Sequence, residues 1–221
     1  MVPVVTHARQ KTGKATRVVA AKKSATSRPK ATTPPRKSPA TTDAIAYLKG
    51  DHRQVEKVFK AYEKAGDRAF RTKRKLVDDM IRELSQHAAV EEQFFYPAAR
   101  REVPETTDDV LESMEEHHIV KWILSELIHL KPDDERFDAK VTVLIENVRH
   151  HVREEEQDLF PQVRAHMPRK DLVELGAKLE EGKGLAPTRP HPRSPDEPPA
   201  NLITGAVAGA VDRARSLVKS R

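Results

Sequence analysis

The sequence predicts an all-α protein, an antiparallel up-down-up-down four-helix bundle with a disordered basic N-terminal tail and a proline-rich C-terminal extension. Three observations support this prediction. Four segments repeat apolar residues every three or four positions, and the connections between them are short. Proline is concentrated before and after residues 41–167, which we expect to form the bundle.

The first 40 residues differ in composition from the rest of the chain. They contain ten Lys and Arg and no Asp or Glu, so the remainder holds 30 basic and 34 acidic residues although the whole chain has a net charge of +6. With only scattered valines to bury, this segment cannot offset the entropy lost on ordering. We therefore expect residues 1–40 to be a disordered basic tail.

The four repeating segments read as amphipathic helices. The first begins after N-cap residue types at residues 41–43, and the second ends at Pro97. The third lies between Asp108 and Pro132, and the fourth ends near Pro161. All four have histidine in an otherwise apolar stripe. Because burying an imidazole without a partner is costly, we expect a partner for each.

Beyond the bundle the sequence predicts one further helix and a C-terminal segment that is either a docked helix or a loose tail. Leucines at helical spacing in residues 168–185 predict a short accessory helix, and residues 186–221 form a Pro-rich linker and C-terminal segment. No apolar stretch approaches the roughly 20 residues that span a bilayer, and the start of the chain has no secretory signal pattern. The absence of cysteine excludes disulfides and thiolate metal sites. We expect a cytoplasmic protein.

A histidine followed four positions later by a glutamate occurs twice, 64 positions apart, in the second and fourth helices. Residues four apart share a helix face, so each pair directs an imidazole and a carboxylate the same way. The first and third helices each add one histidine, at an offset of 65. Two halves related by a pseudo-two-fold axis would bring all these side chains together. The six candidate metal ligands are His52, His87, Glu91, His117, His151 and Glu155.

The ligand types narrow the choice of metal. Six nitrogen and oxygen ligands exceed the needs of one ion and suit two ions that share both carboxylates, with two histidines on each. Imidazole disfavours calcium and magnesium, and a structural zinc site closes at four ligands. We expect two iron ions per chain with an oxo or hydroxo bridge, and a manganese or mixed iron–manganese pair is the alternative.

Four stretches together resemble the hemerythrin-like HHE cation-binding domain over roughly residues 43–166. They are D-H-R-Q-V-E-K-V-F, H-A-A-V-E-E-Q-F-F-Y-P, E-E-H-H-I-V-K and H-H-V-R-E-E-E-Q-D-L-F-P. The resemblance implies a non-haem di-iron centre in a four-helix bundle. It also implies a reversible reaction with dioxygen or, as in some relatives, the handling of peroxide or nitric oxide or the sensing of iron and oxygen.

One position departs from the oxygen-carrying hemerythrins. Those proteins have two histidines one turn apart on the third helix, whereas the residue four after His117 is Lys121. The loss of a terminal ligand leaves room for water, peroxide or oxygen and favours exchange chemistry over reversible oxygen carriage. Glu56, four positions after His52, is a candidate replacement ligand, and the alternative is a solvated charge.

Residues beside the candidate ligands are expected to support them rather than bind metal. Those that precede a ligand can accept the outer imidazole N–H, and neighbouring histidines lie about 100° off the stripe. These supporting residues are Asp51, Glu116, His118 and His150. Glu92 and Glu156, by contrast, are expected to face solvent.

Three functions stay open on the sequence. The centre could react with dioxygen, peroxide or nitric oxide, as an enzyme or as a sensor. It could instead be an iron-binding, storage or metal-clamped module without turnover. Residues 1–40 could also hold the domain on nucleic acid through non-specific phosphate contacts, although they contain no aromatic residue to stack on bases.

Overall fold

A computed structural model describes residues 42–193 and 208–212, and every regular element in these residues is helical. In chain order the helices are α1 (Ala44–Glu63), α2 (Phe70–Val90), α3 (Tyr96–Glu102), α4 (Thr107–Leu127), α5 (Phe137–Glu154), α6 (Phe160–His166) and α7 (Arg169–Leu185). The four predicted amphipathic segments are α1, α2, α4 and α5, and α7 lies in the predicted accessory helix. The predicted basic tail and most of the predicted C-terminal extension lie outside the described residues.

The helix α1 begins where the sequence places an N-cap. The Asp43 side chain accepts a hydrogen bond from the backbone N–H of Ala46 at 2.9 Å, which satisfies one of the free donors of the first turn. Arg164, at the end of α6, donates to the same carboxylate at 2.8 Å. This ion pair links the start of α1 to the end of α6.

Two π-helical segments interrupt the second and fourth helical runs, at Glu91–Phe95 and Glu155–Leu159. The predicted helix end at Pro97 is wrong, because α3 continues beyond it to Glu102. The fourth run, expected to end near Pro161, continues through α6 to His166. Each proline lies in the first turn of the new helix, where its missing N–H is not needed. The wider π turn before each proline ends one series of α-helical hydrogen bonds, and a new series begins at the following helix.

Buried apolar side chains form two clusters. The first includes Leu48 and Val110, and the second includes Val55 and Val120. Along α1 and α4 the chain passes the first cluster, then a histidine, then the second cluster. Along α2 and α5, each followed by its π segment, the order is reversed. The buried histidines therefore lie between two apolar regions.

The helix α7 packs against α1, α2 and the first π segment. Two glycines allow this close approach. A Cβ atom on Gly176 would lie 2.4 Å from the backbone oxygen of Thr42, and one on Gly182 would lie 2.4 Å from the ring of Phe94. The accessory helix is thus fitted directly against elements that bear candidate ligands.

Candidate metal centre

The six predicted ligands converge in two overlapping groups, and all six are buried. In each group one nitrogen or oxygen atom per residue lies within 4.8 Å of the others. The groups are His52, His87, Glu91 and Glu155, and Glu91, His117 and His151. Imidazole and carboxylate in this proportion form the donor set of a transition-metal site.

The four imidazoles form two pairs that meet through their Nε2 atoms. The Nε2 atoms of His52 and His87 are 3.2 Å apart, and those of His117 and His151 are 3.1 Å apart. Each pair joins two consecutive long helices, α1 with α2 and α4 with α5. Four inner nitrogens are therefore directed at one small region.

Glu91 is the first residue of its π segment and lies between the two pairs. Its Oε2 atom is 3.1 Å from Nε2 of His87 and 3.5 Å from Nε2 of His117. The side chain is fully buried, and neither oxygen has a donor in hydrogen-bonding geometry among the described residues. A buried carboxylate without a donor is costly, so the donor set fits a cation bound at this point.

Glu155 occupies the equivalent place in the second π segment. Its Oε2 atom is 3.3 Å from Nε2 of His52 and 3.5 Å from Nε2 of His151. Its Oε1 atom accepts a hydrogen bond from the Tyr96 hydroxyl at 3.0 Å. Each carboxylate therefore contacts one imidazole of each pair, which suits a carboxylate shared by two ions.

Burial and neighbouring charges shift the pKa values of the clustered side chains in opposite directions. Burial and the charge of Glu155 raise the pKa of Glu91 well above its usual value. Burial opposes ionisation of Glu155 too, but His151 and His52 hold its pKa below the usual value. Burial lowers the pKa of His87 to about 4, while at His52 burial is outweighed by two carboxylates and the pKa rises to about 9. Protons thus supply positive charge that bound cations would replace.

The outer Nδ1 atom of every imidazole in the cluster faces a carboxylate. The Nδ1–oxygen distances are 2.9 Å from His52 to Glu156, 3.0 Å from His117 to Glu92, 2.8 Å from His151 to Glu116 and 3.6 Å from His87 to Asp51. The last distance exceeds a hydrogen bond. There, Oδ2 of Asp51 lies 2.7 Å from Nζ of Lys183, on α7.

The expectation that Glu92 faces solvent is wrong, and the same expectation for Glu156 holds only in part. Glu92 is 5% exposed, and the Glu156 side chain is 32% exposed. Each holds the Nδ1 atom of a histidine from the opposite half of the repeat, which fixes the ring and directs Nε2 inward. The same 64-residue displacement relates Glu92 to Glu156, so the repeat contained a signal for both. Lys121 donates to Glu92 at 2.7 Å and so supports the residue that orients His117.

Other predicted residues lie outside the cluster. The carboxylate of Glu56 accepts two hydrogen bonds from Arg149, both at 3.0 Å, and is thereby neutralised. The structure does not bring it to the metal ligands. The His150 side chain is 55% exposed and lies 3.2 Å from Glu154, and His118 is half-buried beside the ligand on α4.

The first residue after each π segment places an aromatic ring against a histidine of the opposite half. Phe160 stacks on His52 with ring centroids 5.7 Å apart, and Tyr96 packs on His117 at 5.5 Å. Only Tyr96 adds a hydroxyl, which reaches Glu155. The wider π turn brings the fifth residue after each glutamate to this place, a shift that a regular helical period does not predict.

A cavity of about 20 Å³ lies against the four imidazoles. Its remaining walls are apolar and follow the internal repeat: Val55, Leu84, Ala88, Val120, Val148 and Val152. A space of this size admits one molecule about as large as water. The side of the cluster that these residues form is apolar and narrow.

Comparisons with known proteins agree with the site. A model of the Hemerythrin HHE cation binding domain matches residues 43–163. An uncharacterised hemerythrin-like protein of Schizosaccharomyces pombe is 26% identical over 170 residues, which cover 76% of this chain and 83% of that protein.

Two further likenesses are more distant. A DNA nickase of Nostoc is 24% identical over 136 residues, or 62% of this chain, and this chain spans 38% of the nickase. A crystal structure of a hemerythrin HHE cation binding domain-containing protein from Mycobacterium kansasii has a TM-score of 0.55 at 23% identity, covering 65% of this chain and 89% of that one. At that identity the likeness concerns the fold. None of the described helices is long and apolar enough to cross a bilayer.

Proposed function

Because this chain belongs to the hemerythrin HHE cation-binding domain family, we propose that it is a dinuclear non-haem iron protein that handles or senses small oxidants. The ions would be held by His52, His87, Glu91, His117, His151 and Glu155. The pair His52 and His87 would serve one ion, the pair His117 and His151 the other, and both carboxylates would be shared. A manganese or mixed iron–manganese pair is the alternative.

The observation that supports this proposal most strongly is the buried carboxylate of Glu91. It lies among inward-directed imidazole nitrogens and has no hydrogen-bond donor among the described residues. A structural role within an apolar core would leave this group uncompensated. Divalent cations would compensate it together with Glu155.

The surroundings of the cluster favour a small reactant. Two bound iron ions would supply electron transfer to dioxygen, peroxide or nitric oxide. The protein's contribution is the narrow apolar cavity beside the imidazoles, which excludes larger molecules. The outer carboxylates keep the rings oriented while a ligand enters or leaves.

Metal analysis combined with stopped-flow spectroscopy tests the proposal. We expect two irons per chain after purification from iron-replete cells, and rapid spectral change when the reduced protein meets dioxygen or hydrogen peroxide. Repeated cycles with peroxide would indicate catalysis. Slow oxidation without a second cycle would favour iron storage or a metal clamp instead.

The order of the apolar clusters along the helices supports the up-down-up-down antiparallel bundle as part of this proposal. The chain meets the two clusters in one order along α1 and α4 and in the reverse order along α2 and α5. Successive long helices would therefore run in opposite directions. Cross-linking distances between helix ends would test this arrangement.

Contact with nucleic acid through residues 1–40 is a second proposal. It is supported by the ten basic residues of that segment, which has no acidic residue. One relative is named a DNA nickase, although this chain spans 38% of that protein. We expect weak, sequence-independent binding that falls steeply with salt. Affinity that survives deletion of residues 1–40 would contradict the proposal.

A further inference from the structure

We propose that the groove between α1 and α5 is the entrance through which small anions reach the metal centre. The inference rests on the proposed dinuclear function and names a substrate class for it. Anions such as azide and nitrite, with up to three heavy atoms, would enter faster than neutral molecules of the same size. A wall of side chains separates the groove from the cavity of about 20 Å³ beside the imidazoles, called the inner cavity below, and cationic residues line the groove.

The groove and the inner cavity share part of their walls. The groove has a volume of about 690 Å³ and is open to solvent. Four side chains line both spaces: His52, Val55, Val148 and Val152. A single layer of side chains therefore separates solvent from the imidazoles on this side of the protein.

Val152 is the weakest part of this layer. Val55 and Val148 are 5% and 4% exposed, so the surrounding side chains hold them in place. Val152 is half-buried and therefore has more freedom to move. A rotation or small displacement of this side chain would open the cavity to the groove. The size of residue 152 should therefore limit the rate at which any ligand enters.

The rim of the groove is basic. Its lining includes five cationic residues and two glutamates, Glu56 and Glu156. Arg149 is held by Glu56 and by Glu63 on α1, and Arg149 also packs over the ring of Phe59. Lys60 lies 3.4 Å from Glu56. Most of the acidic charge at the rim is thus already paired.

Three cations remain available to an incoming anion. Arg53, Lys57 and Arg153 are exposed, and in the described part of the chain they make no ion pair. Outside residues 1–40 the chain has more acidic than basic residues, so this patch differs in sign from the rest of that region. A cleft lined by one sign of charge raises the local concentration of the opposite ion and its association rate.

We expect a small ligand because the cavity beside the imidazoles is small. The cavity of about 20 Å³ holds one molecule the size of water, so azide enters only while the Val152 side chain is displaced, and larger organic anions stay in the groove. Azide is a suitable probe, since its binding to oxidised iron is followed directly by optical absorption. Nitric oxide, bound to the reduced protein, is the neutral probe.

Charge reversal tests the electrostatic part. In the iron-loaded triple variant Arg53→Glu, Lys57→Glu, Arg153→Glu we expect azide association to slow by about ten-fold or more at low salt, and the difference to shrink at high salt. Nitric oxide association should stay within two-fold. The control is Lys170→Glu on α7, whose side chain is 84% exposed and which should leave both rates unchanged.

Changing the size of residue 152 tests the route independently of charge. Val152→Phe should slow both probes, and Val152→Ala should accelerate both. Azide rates that are the same in the charge variant and the wild type would overturn the anion preference. Association rates that are unchanged by both Val152 substitutions would contradict the proposed entrance.

The wild-type result separates this inference from the proposed function. If the protein carries two irons but azide produces no spectral change, the centre has no open position and both proposals fail. If azide binds normally and only the variants behave unexpectedly, the proposed function stands and the entrance lies elsewhere.

Discussion

Single residues around the cluster act through the outer nitrogens of the imidazoles. Three of the four Nδ1 atoms donate to, or accept from, a carboxyl group at 2.8–3.0 Å. Such contacts fix which ring nitrogen can bind metal and raise its basicity. The contacts also link the halves of the repeat, because Glu92 holds His117 and Glu156 holds His52.

Loss of these carboxylates should weaken metal binding without removing a ligand. We expect Glu92→Gln or Glu156→Gln to lower metal affinity by roughly 10- to 100-fold, since a neutral amide orients the imidazole less firmly. Competition with a chromogenic chelator measures the change. Glu154→Gln is the control, because Glu154 pairs only with an exposed histidine among the described contacts. Equal affinities in all three variants would contradict this role.

Tyr96 distinguishes the two halves of the centre, since its counterpart is Phe160. In Tyr96→Phe, Glu155 loses its hydroxyl donor, and we expect the metal-free protein to lose about 1 kcal/mol in its free energy of unfolding. Both metals should still bind, because a phenylalanine ring already fits the equivalent place. Chemical denaturation measures the change.

Tyr47→Phe is the matched control for that experiment. Tyr47 is partly buried against the first apolar cluster, and its hydroxyl has no hydrogen bond within residues 42–193. Equal destabilisation by the two substitutions would show that the hydroxyl of Tyr96 has no specific role.

The sequence predicted the six converging residues because their spacing repeats. It did not predict Tyr96 or the roles of Glu92 and Glu156, since a regular helical period places these side chains beside the stripe. The π segments that begin at Glu91 and Glu155 alter that period. Hydrophobic spacing alone does not predict a π turn. A proline at the same place in both halves indicated that the helix is interrupted there.

The helix α7 packs closely on its neighbours through two glycines, since Gly176 meets the backbone before α1 and Gly182 meets the ring of Phe94. In Gly176→Ala, a Cβ atom would lie 2.4 Å from the backbone oxygen of Thr42. We expect a loss of about 1–3 kcal/mol in the free energy of unfolding, since a backbone group must move. Gly184→Ala on the same helix is the control, as no atom of the described residues lies within 4 Å of the added carbon.

The control should be neutral or slightly stabilising, because alanine favours a helix by up to about 1 kcal/mol over glycine. Thermal or chemical denaturation compares the two variants. Equal stability of Gly176→Ala and Gly184→Ala would show that α7 does not pack closely on the start of α1.

The start of α1 should make stability depend on pH. Burial would raise the pKa of Asp43, but the hydrogen bond from Arg164 and the backbone N–H groups at the cap hold it below the ordinary value of 3.8. A lowered pKa in the folded state stabilises the protein above that ordinary value. This contribution is lost as the pH falls through the lowered pKa.

The comparison of wild type with Asp43→Asn isolates the effect. The asparagine keeps a capping oxygen but not the charge, so the stability difference should be largest near neutral pH and shrink below about pH 4. Urea denaturation at several pH values gives both curves. A difference that does not change with pH would contradict the proposed ionised cap.

At the scale of elements, the existence of the helices was predictable and their continuity was not. Apolar periodicity identified α1, α2, α4, α5 and α7. The prediction ended the second run at Pro97 and the fourth near Pro161, because a proline inside a regular helix removes a hydrogen bond. The π segments provide a new first turn at each proline, so the chain remains helical beyond both.

The whole molecule places its polar cluster between two apolar clusters. This arrangement surrounds the candidate ligands with packed side chains. At the α1–α5 groove only a thin layer of side chains separates the ligands from solvent. Burying six ionisable groups is costly, and a bound cation would offset part of that cost. The family match over residues 43–163 agrees with a cation in that role.

Anomalous diffraction from crystals of the iron-loaded protein, measured at the iron absorption edge, tests the central claim most directly. We expect two peaks per chain, one beside the Nε2 atoms of His52 and His87 and one beside those of His117 and His151. Both peaks should adjoin Glu91 and Glu155. A single peak, or none at this cluster, would contradict the account.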